Sequence, residues 1–362
     1  MQESEPAETR AHIVRPVEIE DAQQVIDLQN LVFGAKRTIL NWNWKALENP
    51  YAQKVASVIE SDAKIVAYYG VVGINLNLSG RPILCGQSTD TVVHPELRNQ
   101  RLFKQSMELA CELMIKAGIK FAFGFPNDQA LPVNIHHANA LPIAFAKYYF
   151  KKLSLASQLK ARLKLSWLAY ALDLPFVLLV RLACAAKEFT LRQRLSGSAV
   201  LSRSDQVDPN YDALWNVLKT QEIISLWKDA AYLKWRYDQH PTRKAQYFHC
   251  YHDGKLVGMA NVLKRRNMLV VCELAVLNKS VIIGQLLLND ICRYCREQGL
   301  DGVSFYGHDR GFFGQVFSSF KYDPCRDLTL VGRMFVTDDR LCQLLHNAGN
   351  WSLTSGDTDE FY

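Results

Sequence analysis

At 362 residues, 49% of them hydrophobic and without low-complexity bias, the chain excludes a disordered protein and predicts two domains with real cores. The net charge of +6 is mild: it favours an anionic ligand or surface and does not ask for nucleic acid. Nine cysteines without a metal spacing, and a polar, acidic Met1 to Arg10 with no signal peptide, point to a reducing cytosol.

Residues 1–11 read as a tail and Ile13 to Val17 as a short strand. Glu20-Asp21 opens an amphipathic helix with Val25, Ile26, Leu28 and Leu31 on its apolar side. Trp42, Trp44 and Tyr51 either line a cleft or pack under a loop. Strands are predicted over 54–61, 65–78 and 83–93, with turns at Asp62-Ala63 and Ser79-Gly80-Arg81. The third closes on Val93-His94-Pro95, and a helix over 103–117 follows, ended by Gly118. Such a junction presents free amides and a positive dipole end, which together cradle phosphate. Ile119 to Phe125 is a central strand by its apolar run. A helix is expected over 127–140 with Pro132 near its start, then a strand pair or one long edge strand over 143–153.

Residues 155–195 change character. Lys160, Arg162, Lys164, Arg181, Lys187, Arg192 and Arg194 face only Asp173 and Glu188, within a helical, Leu- and Ala-rich pattern. The longest uninterrupted apolar piece falls short of the roughly 20 residues a membrane span needs. Two readings stand: a helical hairpin packed between domains, and a basic amphipathic segment making peripheral contact with a membrane surface. After the polar stretch 196–210 come a helix from Tyr211 and strands over 245–251, 256–265 and 268–276. A helix over 281–298 capped by Gly299, a strand over 301–306 and a last one over 328–335 complete the chain. Cys292 and Cys295 fall on the helical pattern and read as ordinary helix thiols, and His249, Cys250 and His252 as strand residues. The second half repeats the schedule of the first, which predicts a duplication at the level of the fold.

On Ile13-Val14-Arg15-Pro16 with Asp21, Val93-His94-Pro95 with Arg98 through Phe103, and Phe123-Gly124-Phe125-Pro126-Asn127, the first half resembles the GCN5-related N-acetyltransferase (GNAT) superfamily, in particular its tandem-domain members. The second half resembles their degenerate second domain, on Trp227-Lys228-Asp229, Tyr232 to Tyr237 and Ser319-Phe320-Lys321-Tyr322. Gly356-Asp357-Thr358-Asp359 is similar to the ending of tandem proteins that accompany polysaccharide biosynthesis. The resemblance implies an α+β fold of two acyl-CoA N-acyltransferase-like (GNAT) domains in tandem. Each is a mixed, mostly antiparallel sheet flanked by helices, at 1–155 and 206–362, joined by a helical segment at 156–205.

It further implies acetyl-CoA, or another acyl-CoA, as co-substrate, with no metal. Pantetheine would lie along Thr91, Val92 and Val93, the pyrophosphate on Arg98, Asn99, Gln100, Arg101, Leu102 and Phe103, and Asn127 would orient the coenzyme or cap the next helix. Arg101 and Phe103 stand where the family's phosphate loop has Gly and Gly or Ala; a helical backbone would accommodate Arg101, whose guanidinium can itself meet phosphate. The implied reaction is direct attack of an amine on the thioester. Asp90, the only acid over 87–93, is the candidate base, and His136 the candidate contact for a small-molecule amine such as an amino sugar. The alternatives are a catalytically silent tandem scaffold and a membrane-surface acyltransferase acting on a lipid-linked intermediate.

Overall fold

The computed structural model describes residues 12–51, 54–98, 101–163, 166–195, 198–307 and 311–359. The first half contributes strands β1 (Ile13–Pro16), β2 (Ser57–Ser61), β3 (Lys64–Tyr69), β4 (Val71–Leu78), β5 (Arg81–Ser88), β6 (Val92–Val93), β7 (Phe121–Gly124) and β8 (Leu141–Lys152). The second contributes β9 (Ala199–Ser204), β10 (Ile224–Leu226), β11 (Gln246–His252), β12 (Lys255–Arg265), β13 (Met268–Val276), β14 (Gly302–Gly307), β15 (Lys321–Tyr322) and β16 (Leu328–Met334).

Local sequence accounts for the elements around the cleft. Helix α1 (Ala22–Phe33) follows a capping box, in which the Glu18 amide donates to Asp21 at 2.8 Å, and it ends at Gly34 in the left-handed region. Helix α2 (Ile39–Ala46) starts at Thr38, whose amide donates to the Asn41 side chain. Helix α3 (Leu102–Lys116) buries Leu102, Ser106, Met107, Ala110, Cys111 and Met114, one stripe at helical spacing. Period-two alternation in the strands then sorts the faces: Val58, Tyr68 and Val92 pack under α1, while Ile59, Ala67 and Val93 turn the other way, beside Leu102 of α3. The two helices therefore cover opposite faces of one sheet.

The strand order joins the two halves in one sheet. Strands β1-β2-β3-β6 form one sheet, and β10-β4-β5-β7-β16-β8-β14-β13-β12-β11-β9 run as a second, continuous one, with β15 paired to β8. Strand β16, from beyond residue 206, lies between β7 and β8 of the first half. Strand β8 in turn continues into the second half, where its Lys147–Lys152 end pairs with β14. Each half thus supplies a strand the other needs, and a cut at residue 155 would sever one sheet. The core is shared too: Trp44, Ile74, Phe121 and Phe123 cluster with Tyr211, Trp235, Tyr247 and Trp351. The schedule expected from duplication does recur, since β13 runs parallel to β14 as β5 does to β7.

The segment 155–195 forms a short helix (Ala156–Arg162) and a long one (Ser166–Arg194), which packs against the Val281–Glu297 helix rather than between the halves. Its buried stripe is narrow (Ala169, Asp173, Cys184 and Leu191), so most of its circumference stays in solvent. Cys292 and Cys295 lie inside the core, where burial pushes their thiols up to about 11 and about 12.

Candidate active site

Strands β5 and β7 run side by side only where Gly86 and Gln87 face Ala122 and Phe123. Past that point the expected strand over 83–93 is interrupted. Thr89 donates its amide to the Gly70 carbonyl at 2.9 Å, Asp90 adopts φ 56°, and β6 resumes along β3. Gly70 makes this possible, because a Cβ there would lie 2.1 Å from the Thr89 carbonyl oxygen. β6 is paired with β3 along one edge and stands last in its sheet. At the break the buried Thr91 hydroxyl has no hydrogen-bond partner.

The turn after β6 leads to α3, whose first residue follows Arg101 at φ 58°, ψ 11°. The expectation of a helical backbone at Arg101 is corrected: the chain takes the left-handed conformation that glycine supplies without strain. Among the described residues no side chain caps this helix, and its first turn carries no acid, which suits its leading amides to an anion. Arg101→Gly is expected to stabilise the protein by about 1 kcal/mol, read from the urea midpoint.

At the break is a cavity of about 520 Å³, lined by Phe33, Lys36, Arg37, Asn41, Asp90, His240, Thr242, Arg243 and Asp359 among the described residues. None of these belongs to the 98–103 turn or to α3. Asp90 is clamped: Arg37 Nη2 donates to one carboxylate oxygen at 2.6 Å and Lys45 Nζ to the other. Burial would raise the Asp90 carboxyl, but Lys45 and Arg37 overcome it and hold the group below the usual carboxylate range. Arg37 is steadied in turn by Gln29, whose Oε1 accepts at 3.0 Å.

The second half closes the cavity. Trp44 and Trp235 stack at 5.2 Å, and each indole donates to the other residue's carbonyl, at 2.7 and 2.9 Å. His240 lies against Trp44 at 4.4 Å and is 8% exposed. Its Nδ1 accepts from the amides of Thr242 and Arg243, both at 3.2 Å, which places the proton on Nε2, and Nε2 has no partner among the described residues. Arg236 donates to the carbonyls of Gly356 and Thr358, and Gln87 to that of Asp357, anchoring the C-terminal stretch that carries Asp359 to the cavity.

Burial first, then the charges of Arg243 and Arg236, lower the His240 imidazole from 6.5 to about 3. Across that window the folded protein binds fewer protons than the unfolded chain, so stability falls as pH drops below 6.5. The expected loss is about 1.4 kcal/mol per pH unit. Urea titrations between pH 7 and pH 4.5 should show a shallower slope in His240→Gln.

Residues 13–131 match the model of the acetyltransferase (GNAT) domain. The structure superposes on a GCN5-related N-acetyltransferase from Kribbella flavida with a TM-score of 0.61 at 12% identity, covering 94% of this chain and 74% of that one. A counterpart from Anabaena variabilis gives a TM-score of 0.63 at 12% identity, over 93% and 75%. The chain has the acyl-CoA N-acyltransferase fold. The Saccharomyces cerevisiae N-myristoyltransferase with bound myristoyl-CoA shares this N-acyltransferase fold, with a TM-score of 0.57 at 11% identity over 92% and 84%. No curated protein matches the chain.

Within the N-acyltransferase fold, the structure brings Asp90, Thr91, Val92 and Val93 to the break. Val92 and Leu102 have buried side chains; Arg98 and Arg101 are exposed, and Phe103 lies edge-on to Tyr69 at 5.8 Å. Asn99 and Gln100 lie outside the described residues. Asn127 caps the Ala130–Ala138 helix, its Oδ1 accepting from the Ala130 amide at 2.9 Å, so the capping reading is the observed one. His136 is exposed in the last turn of that helix, away from the described lining of the Asp90 cavity. Arg37, Lys45, His240 and Arg243 were not foreseen. The one local cue was the basic pair Lys36-Arg37 in a Gly-containing break between two helices.

Proposed function

We propose that this protein is an acyl-CoA-dependent N-acyltransferase with its coenzyme in the β5–β7 splay and its acceptor amine entering from the Asp90 cavity. The observation that carries this reading is the break at 89–91. It separates β6, which leads into the start of α3, from the end of β5, and Asp90 at the break lines a cavity. Backbone amides of Thr91 to Val93 would hold the pantetheine and polarise the thioester carbonyl. The α3 amides, with Arg98 and Arg101, would hold the pyrophosphate. The coenzyme supplies the activated acyl group. The amine must arrive as the free base, and the Arg37 and Lys45 charges beside Asp90 lower the pKa of a neighbouring ammonium. Asp90, held ionised by two cations, is a weak proton acceptor; its work is to keep them in place, and the proton passes to water in the cavity. An amino sugar of a surface polysaccharide is the acceptor that the tandem resemblance supplies. Calorimetric titration with acetyl-CoA tests the reading: saturable binding is expected, and no heat at millimolar coenzyme would sink it.

We further propose that the protein works against an anionic membrane surface. Trp167, Tyr170, Leu174, Leu178, Leu179, Leu182 and Phe189 are 47–68% exposed on one helix. Trp167–Arg194 is also long and apolar enough to cross a membrane. Both acids of the segment point inward, Asp173 to Ser154 and Glu188 to Arg192 and Arg293, leaving the outer face apolar with a basic rim. Co-sedimentation with vesicles containing phosphatidylserine is expected, and a Leu178→Glu, Leu182→Glu double variant should lose it. Equal sedimentation of both proteins would refute the proposal.

A further inference from the structure

A neck of about 60 Å³ shares Arg37, Asn41 and Asp90 with the Asp90 cavity. The same neck shares Trp42, Lys45, Ala46 and Tyr68 with a further cavity of about 490 Å³. Two residues lining that further cavity pair with both arms of the break, Tyr68 with Val92 and Val71 with Ser88. Its floor is apolar: Trp42, Ala56, Tyr68 and Val72 line it and are each 8% exposed or less, and the Trp42 and Tyr68 rings lie 5.8 Å apart. Buried Asn49 is already engaged, its Nδ2 donating to the Gly73 carbonyl at 2.9 Å and its Oδ1 accepting from the Tyr51 amide at 2.8 Å. Lys45 is held by Asp90, and Glu18, Glu20 and Lys54 are exposed. An acetyl group would end at the break and leave this space unused. A longer alkyl chain needs no hydrogen-bond partner and gains free energy by leaving water for such a floor.

We propose that the donor carries a fatty acyl chain, which runs from the thioester at the break through the neck into the Trp42–Tyr68 cavity; this rests on the N-acyltransferase reading above. The acceptor amine uses the Asp90 cavity and the chain uses the further one, so the two do not compete for space. Transfer forms the C–N bond and breaks the C–S bond at the thioester carbonyl, releases coenzyme A as the thiol and passes the amine proton to water. Chain length leaves that balance unchanged and enters through binding alone.

The test titrates the full chain with acetyl-, butyryl-, hexanoyl-, octanoyl- and decanoyl-CoA by calorimetry and needs no acceptor. Affinity should rise about four-fold for each added methylene until the cavity is filled. Ala46→Trp and Leu47→Glu alter the lining at exposed positions, where folding tolerates the change. The first fills the cavity and the second puts a charge in it, so each should remove the gain with chain length while acetyl-CoA binds as before. Equal or weaker binding of the longer thioesters overturns this inference and leaves the acyltransfer reading standing. A chain-length gain that survives in both variants overturns it too, because the chain then lies elsewhere, for instance on the apolar face of the Ser166–Arg194 helix. Failure of every thioester to bind removes the acyltransfer reading and this inference together.

Discussion

Asp90→Asn is expected to destabilise the protein by about 3–5 kcal/mol, because it strands two cations whose shared counter-ion is gone. The side chain of Asp90 is 10% exposed and that of Lys45 15%, so water does not replace the lost carboxylate. Asparagine suits the test: it has the same shape and tolerates the left-handed φ of 56°, so the loss reports charge rather than backbone strain. Urea denaturation and steady-state kinetics on one preparation separate the roles. A loss below about 1 kcal/mol alongside a hundred-fold fall in kcat would show that Asp90 takes the proton, as first expected from its place in the sequence.

Trp44→Ala is expected to remove about 3–5 kcal/mol and to loosen the join between the halves. Trp44 is 1% exposed, and its removal leaves a void beside Trp235 and His240. It also strands the Trp235 carbonyl, which accepts the Trp44 indole N–H at 2.7 Å. The urea midpoint should fall, also because His240 loses the ring it rests on. A loss below about 1.5 kcal/mol would mean that the continuous sheet alone holds the halves together.

The parts legible in the sequence are those set by neighbours along the chain. The turn at Val93-His94-Pro95 and the left-handed Gly118 after the Leu102–Lys116 helix lie within a residue or so of where the pattern placed them. So does Phe121–Gly124, because a strand buried on both faces reads as a short apolar run. The break at Thr89–Thr91 was invisible. It depends on the close approach of Gly70, and nothing in the run 83–93 signals it. The Asp90 clamp was invisible as well, since Arg37 and Lys45 lie 53 and 45 residues away.

By itself the sequence determined most of the elements and their order. Those follow from periodicity and turn chemistry, which act over a few residues. Only the tertiary structure decided that β16 completes the first half's sheet and that Trp44 and Trp235 lock the halves together. It alone brought His240 and Arg243 to the cavity that Asp90 lines, and set Arg37 and Lys45 on the Asp90 carboxylate. The physical reason is range. A side chain's protonation and role are set by whatever charges and apolar surfaces are packed around it, and here those arrive from segments up to about two hundred residues away, as with Trp44 and Trp235.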